Sequence, residues 1–344
     1  GLFVALVPTW GDKVRREWGL GPEIFNVNNA RTYGEFLGRR YRDRPVIWIL
    51  GGDRSPVGYE EIWRALARGL KAGDGGDHLM TYHGAEGYEG QGSSLFFHDE
   101  SWLGFNMAYS GHMWAAPNYE QIARDYALAP VKPTLDGEPR YENHPYLAAG
   151  KQYHENPKAW DGRTRGDAHQ MREAAYWAML AGAAGHTYGC NDIWQFYHQG
   201  RKPITQANTD WHQALDFDGA RQMGILRRLF EARPWYRLVP AQSVIAAGQG
   251  QGEDHIQAAR ADDGSFLLAY LPLGHPVTMN LDKVSGRVVK AHWFNPREGT
   301  WTLIGEYPAV ATREFTPPSS GPTSDWVLVL DSLGAQTKTL MKGQ

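Results

Sequence analysis

Short apolar runs alternate with helical patterns through the first 232 residues. The runs are Leu2–Val7, Val46–Leu50, His78–His83, Phe105–Ser110, Lys132–Gly137 and Ala184–Tyr188. Continuous rather than alternating apolar character is what strands covered on both faces of a parallel sheet require. Between the runs the spacing predicts helices near Ala30–Tyr41, Gly58–Lys71, Tyr119–Ala127, Asp167–Ala183 and Gly219–Ala232. In the fourth of these, Ala168, Met171, Ala175, Ala178 and Gly182 form a narrow stripe that would let a helix lie close to a sheet. Asp167 and Gln170 at its start have capping-box spacing.

Strand, helix, strand repeated in this way predicts an α/β fold whose active-site loops gather where the strands end. Six strands are legible, whereas a (β/α)8 barrel needs eight. The chain moves from Gly1 straight into the run LFVALV. The expectation is therefore a (β/α)8-type barrel lacking its first two βα units, with a six-strand doubly wound sheet as the alternative. After Pro234 the texture changes: HIQAARA, SFLLAYL, RVVKAHWF, TWTLIG and DWVLVLD read as strands, with Asp263-Gly264 and Pro296–Gly299 as hairpin turns. A β-sandwich follows from this pattern, with the boundary near Arg233–Ala241. The expected domains are a barrel over 1–235 and a sandwich over 236–344.

Composition narrows the function. A net charge of -3 leaves no basic stripe for nucleic acid, and no apolar run is long enough to span a bilayer. Cys190 is the single cysteine, so neither an internal disulfide framework nor a cysteine-based zinc site can form. HExxH, close histidine pairs of zinc spacing, P-loops, GxGxxG after a strand and serine nucleophile elbows are all absent. No metal or cofactor is expected. Fourteen Trp, 17 Tyr and 40 Gly are many for 344 residues, and rings carried on glycine-rich loops suit sugars.

Two strand ends carry acids. In VIWILGGDRSP the run ends in Gly51-Gly52, which lets the backbone turn tightly and deliver Asp53 to the catalytic face, with Arg54 beside it to hold a carboxylate or a substrate oxygen. The competing reading is a turn in which Asp53 caps the following helix. In KPTLDGEPRYEN the acids are Asp136, Glu138 and Glu142. Asp136 is expected to satisfy turn backbone, and Glu138 either does chemistry or pairs with Arg140 or Arg54. Two carboxylates, one to protonate the leaving oxygen and one to attack or to activate water, are what glycoside hydrolysis asks for. Trp10, Tyr82, His83, Tyr109, His112, Asn191, Asp192 and Trp194 follow other strands, and their residue types suit a sugar pocket. The glycine-rich stretch Ala85–Trp102 is expected to face substrate. GDGGDH, at the N-terminal end of its strand, is expected to be a plain turn rather than a calcium loop.

On the stretches LVPTWGDK, YRDRPVIWILGGDR, WLGFNMAYSGH and KPTLDGEPRYE, the chain resembles glycoside hydrolase family 140, the apiosidase-like family. WFNPREG and DWVLVLD resemble the β-rich module that carries a collagen-binding label in such proteins. The resemblance implies a (β/α)8 barrel, opened in the family by two strands that nothing here matches. It implies cleavage of apiose linkages in branched plant polysaccharide, pectic side chains among them, by a bacterial protein exported to the periplasm or outside the cell. Asp53 would be the general acid and Glu138 the nucleophile, with Glu142 as the fallback and retention as the outcome. Trp10, Arg54, Tyr82, His83, Tyr109, His112, Glu142 and Trp194 would bind substrate. The expected partner is an oligo- or polysaccharide, with neither nucleic acid nor membrane. The rivals are a glycosidase of another linkage and a non-catalytic carbohydrate-binding or adhesion protein.

Overall fold

The computed structural model describes residues 1–16, 19, 21–85, 92–146 and 165–334. The chain forms two compact units, one made of Gly1–Gly111 with Arg124–Glu138, the other of His112–Ala123 with Pro139–Gln344.

The first unit begins β1 (Val4–Leu6), α1 (Val27–Tyr41), β2 (Val46–Gly51), α2 (Glu60–Asp74) and β3 (Met80–His83), with the three strands parallel in sequence order. It continues with α3 (Ser94–Phe97), β4 (Asn106–Ala108) and β5 (Thr134–Asp136), and β4 pairs parallel with β5; α4 (Asn118–Tyr126), between those strands in sequence, is divided between the two units. β2 and β3 are buried almost throughout, as their unbroken apolar sequence requires. β1 departs from that expectation. Leu2, Phe3 and Val4 are exposed, because β1 is the edge of its sheet and only β2 pairs with it among the described residues.

Helix α1 starts before Ala30 because Asn26 and Asn29 cap it reciprocally: the Asn26 side chain accepts from the N–H groups of Asn28 and Asn29, and the Asn29 side chain accepts from the Asn26 N–H. Its contact with α2 is backbone against backbone. A Cβ added to Gly34, Gly38, Gly69 or Gly73 would lie 2.2–2.5 Å from a carbonyl oxygen of the facing helix. GDGGDH is a turn, as expected, held by the buried Asp74 carboxylate, which accepts from Trp48 Nε1 (2.9 Å) and Gly76 N (2.7 Å). The stretch Ala85–Trp102 differs from expectation. Residues 86–91 lie outside the described residues, but α3 puts Phe97 into the core with Trp63 and Tyr82, and Trp102 packs on Phe97. Apolar burial wins over glycine content there.

The second unit holds β6 (Tyr141–Glu142), α5 (Ala168–Leu180), β7 (Gly185–His186), β8 (Gly189–Cys190), α6 (Asn191–Trp194), α7 (Trp211–Ala214) and α8 (Asp218–Glu231). The narrow stripe foreseen on α5 understates the helix. Asp167 caps it by accepting from Gln170 N (3.1 Å), and every residue from His169 to Leu180 is buried. Such a helix must pair its charged residues internally, and it does: Glu173 with Arg140, and Arg172 with Asp325.

An antiparallel β region follows in the same unit: β9 (Leu238–Pro240), β10 (Ile245–Ala247), β11 (Gln257–Ala261), β12 (Phe266–Leu271), β13 (Val277–Asn280), β14 (Val288–Asn295), β15 (Thr300–Pro308), β16 (Thr312–Phe315) and β17 (Trp326–Leu333). Six strands pair in the order β15-β14-β17-β12-β11-β9 and three in the order β10-β13-β16. Leu267, Val289 and Leu328 of the larger sheet share one core with Val277, Met279 and Phe315 of the smaller, which makes the region sandwich-like.

Candidate active site

The turn after β2 is built from residues with positive φ: Gly51 (+88°), Gly52 (+123°) and Asp53 (+52°). Glycine is required twice. A Cβ on Gly51 would lie 2.2 Å from the His83 carbonyl oxygen, and one on Gly52 would lie 2.7 Å from the Trp10 ring. The ends of β2 and β3 can therefore sit side by side, with Gly52 N donating to His83 O (2.9 Å). Asp53 does not cap the next helix. The N-cap residue of α2 is Tyr59.

Arg54 and Tyr82 are not where a sugar pocket needs them. Both are buried; Arg54 donates to the carbonyl oxygens of Asp53 (2.8 Å) and Arg15 (3.1 Å), and Tyr82 Oη donates to Arg54 O (2.9 Å). A guanidinium satisfied by backbone carbonyls fixes the turn that carries Asp53. It does not reach out for substrate.

At the end of β5, Asp136 is buried and accepts from Ser110 Oγ (3.1 and 3.2 Å). Glu138 is hydrogen-bonded to His83. Arg140 is taken by Glu173 and Gln170, and the Glu138 carboxylate oxygen Oε2 meets His83 Nε2 in a short hydrogen bond.

His83, the last residue of β3, stands between the two acids. Its Nε2 faces Glu138, and its Nδ1 lies 3.0 Å from Gly84 O, 3.5 Å from Asp53 N and 4.0 Å from Asp53 Oδ1. Tyr109, buried, and Trp10, 39% exposed, place their rings 4.9 and 5.6 Å from the imidazole. Burial alone would drive the His83 pKa down; the hydrogen bond and charge of Glu138 are the main causes that outweigh it and hold the imidazole above its ordinary value, and Asp53 adds to them when it is ionised. One oxygen of Asp53, one nitrogen of His83 and one oxygen of Glu138 lie within 4.8 Å of one another. In this structure Nε2 and Oε2 meet each other directly as hydrogen-bond partners. The arrangement is a triad in which His83 is hydrogen-bonded to Glu138 and has its Nδ1 4.0 Å from Asp53 Oδ1.

The remaining candidates belong to the second unit. His112 stacks on His144 (4.4 Å between centroids) and against Tyr141 (4.5 Å). Glu142 is buried and accepts from Tyr188 Oη (2.6 Å) and from Gly219 N (3.1 Å) in the first turn of α8, where a carboxylate complements the helix N-terminus. Burial raises its pKa against those two hydrogen bonds. This makes Glu142 a fastening for α8 rather than a substitute for Glu138. Trp194 is 46% exposed and donates to Asn191 Oδ1 (3.3 Å). Asp192 accepts from the N–H groups of Asn208 (3.0 Å) and Thr209 (2.9 Å) and from Asn143 Nδ2 (2.7 Å), fixing the loop beyond α6. On that loop Phe196 is exposed and meets Trp211 edge to face at 5.5 Å, an aromatic pair that the reading of the sequence passed over. The density of rings in WQFYH was its signal.

Two carboxylates at the ends of parallel strands, linked by one imidazole and bordered by Trp10 and Tyr109, form a constellation suited to acid and nucleophilic attack on a glycosidic bond. Comparison with known proteins agrees in class. Residues 1–237 match the model of the apiosidase-like catalytic domain, and residues 239–331 match that of a collagen-binding domain of a collagenase. A solved structure described as a glycoside hydrolase is 32% identical, with a TM-score of 0.85 over 96% of this chain and 74% of its own. A glycoside hydrolase family 5 protein from Bacteroides vulgatus ATCC 8482 is 33% identical, with a TM-score of 0.87 over 100% of this chain and 73% of its own. No curated protein matches. The chain belongs to the apiosidase-like family and is a glycoside hydrolase.

Proposed function

We propose that the chain is a retaining glycosidase in which Asp53 is the general acid and base and Glu138 the nucleophile. The observation that carries this reading is the closeness of the two acids, each with an oxygen within 4.8 Å of the other's. Retaining enzymes keep their carboxyl groups about 5–5.5 Å apart, inverting ones about 6.5–9.5 Å. In the first step Asp53 gives its proton to the leaving oxygen while Glu138 attacks the anomeric carbon; the carbon–oxygen bond breaks and a glycosyl ester forms. In the second, Asp53 takes a proton from water, the hydroxide displaces Glu138, and the sugar leaves with its original configuration. Trp10, the most exposed ring beside the triad, offers a face on which a sugar can stack.

The sugar we assign is apiose or a related pentose or deoxysugar, in pectic side chains or another branched plant polysaccharide. The match to the apiosidase-like domain supports it. On the same grounds the α/β region is read as part of a (β/α)8-type barrel over 1–235, with the sandwich over 236–344, in a protein of the periplasm or the extracellular space. No helix among the described residues is long and apolar enough to cross a membrane. The test is Asp53→Asn and Glu138→Gln on a panel of aryl glycosides, with product configuration followed by NMR. Each should lose about 10²- to 10⁴-fold in kcat with the fold intact. Near-normal turnover by either variant would sink the assignment, and first release of the opposite anomer would replace retention with inversion.

A further inference from the structure

The imidazole of His83 has one nitrogen toward each acid, and its hydrogen bonds fix where its protons can be. Nδ1 has two backbone neighbours: the Gly84 carbonyl oxygen at 3.0 Å, which can only accept, and the Asp53 N–H at 3.5 Å, which can only donate. The shorter contact is the stronger of the two, and it is made when Nδ1 carries a proton. Nε2 then has two ways to bond Glu138 Oε2. Either the ring is neutral and Glu138 is the donor, or the ring is an imidazolium donating to a carboxylate. Only the second leaves Glu138 able to attack.

We propose that His83 is a positioning residue, a fixed imidazolium that serves as counter-charge first to Glu138 and then to Asp53, rather than a reader of sugar hydroxyls. This rests on the reading of Asp53 and Glu138 given above. In the resting enzyme Asp53 is protonated, Glu138 is anionic and His83 is cationic, so the triad sums to zero. In the glycosyl-enzyme Asp53 has given up its proton, Glu138 is a neutral ester and His83 is still cationic, and the sum is again zero. No net charge is created in a buried place as the reaction proceeds, and such a site needs little reorganisation. Because His83 holds Oε2, Oε1 is the attacking oxygen, and the Nε2–H bond to Oε2 assists departure of the carboxylate in the second step. Among the described residues, the groups facing the ring are Asp53 from the end of β2, Glu138 from the end of β5, Tyr109 from the end of β4 and Trp10. No second cation is among them.

The test is His83→Gln, which removes the charge, measured beside Asp53→Asn and Glu138→Gln. The expected result is a fall of about 10²-fold in kcat with KM changed by less than about threefold. Removing a positive charge beside Glu138 raises the pKa of that carboxylate, so the acid limb of kcat/KM should move up by about one pH unit or more. A change in KM alone, or an unmoved acid limb, overturns the proposal in favour of sugar contact or simple support. Nitrogen NMR of the wild-type ring decides the matter if the variant does not fold. Both nitrogens of His83 should be protonated at pH 7, and the signal, assigned by its change in Glu138→Gln, should revert toward neutral imidazole in that variant. A neutral His83 at pH 7 in the wild type would overturn the inference. Full activity in Glu138→Gln would instead remove the assignment of the nucleophile, a separate failure.

Discussion

Arg172 of α5 grips Asp325, the residue before β17, through two parallel hydrogen bonds, Nε to Oδ2 and Nη2 to Oδ1, both 2.7 Å. Both side chains are buried, and Asp325 also accepts from Tyr270 Oη (3.0 Å) and Arg297 Nη1 (3.2 Å). Around this pair the ring of Tyr176 stacks on Tyr270 at 4.7 Å, and Trp177 Nε1 donates to His255 O (2.8 Å). The sandwich therefore covers a helix whose polar and aromatic groups would otherwise be exposed, and it acts as a structural partner of α5.

Removing the acid from that pair strands a buried guanidinium. Asp325→Ala should lower stability by about 3–5 kcal/mol, measured by urea unfolding. The exposed pair Arg227–Glu231 on α8 is the contrast, and Glu231→Ala should change stability by less than about 1 kcal/mol. Equal effects at the two sites would mean that the buried pair is not holding the unit together.

The crossing of α1 and α2 gives a prediction opposite in sign to helix propensity. Alanine ordinarily stabilises a helix interior by about 1 kcal/mol relative to glycine. At Gly69 its Cβ would lie 2.2 Å from the Arg31 carbonyl oxygen, a backbone atom that cannot turn aside. Gly69→Ala should instead destabilise by about 1–3 kcal/mol, read from the shift in thermal or urea midpoint. A stabilised variant would show that the helices part without cost.

His186 should make the protein acid-sensitive. Burial, with the charge of Arg140 as the lesser cause, lowers its pKa from 6.5 to about 3 in the folded state. The unfolded chain takes up the proton near 6.5 and the folded chain does not, so stability is full above that pH and is lost as pH falls from 6.5 toward 3. At pH 5 the loss amounts to up to about 2 kcal/mol. His186→Gln should flatten this part of the stability profile. Parallel wild-type and variant profiles between pH 7 and 5 would disprove the assignment.

Legibility in the sequence followed how local each signal was. Val46–Leu50 announces a buried strand by itself, and Gly51-Gly52-Asp53 announces its turn, because both depend on consecutive residues. The hairpin strands β12, β14, β15 and β17 were legible for the same reason. β9, β10, β13 and β16, each three or four residues long, are too short for alternation to show. What could not be read was pairing over distance. The glycines of α1 and α2 mean close approach only once the two helices are side by side. Tyr82 has the residue type of a sugar platform, but its ring lies against Trp63 and Phe97 in the core. His83 and Glu138 were each named as candidates, yet their hydrogen bond spans 55 positions of sequence and no spacing rule reaches that far.

The turn after β2 allows backbone strain to be separated from placement of the catalytic acid. Gly52 and Gly58 both have positive φ, +123° and +84°, so alanine is strained at either. Their surroundings differ. A Cβ at Gly58 meets nothing within 4 Å, whereas one at Gly52 lies 2.7 Å from Trp10 and adjoins the residue that presents Asp53. Gly58→Ala should therefore cost about 1–2 kcal/mol of stability and leave kcat unchanged. Gly52→Ala must also move Trp10 or the turn, and a displacement of about 1 Å at Asp53 is enough for a loss of about 10²-fold in kcat. Steady-state kinetics of the two variants, each checked for folding by circular dichroism, gives the comparison. If both lose activity equally, strain in the segment rather than the position of Asp53 governs turnover; if neither does, the strict geometry of the Gly-Gly-Asp turn is not what catalysis depends on, and the case for Asp53 as the acid weakens with it.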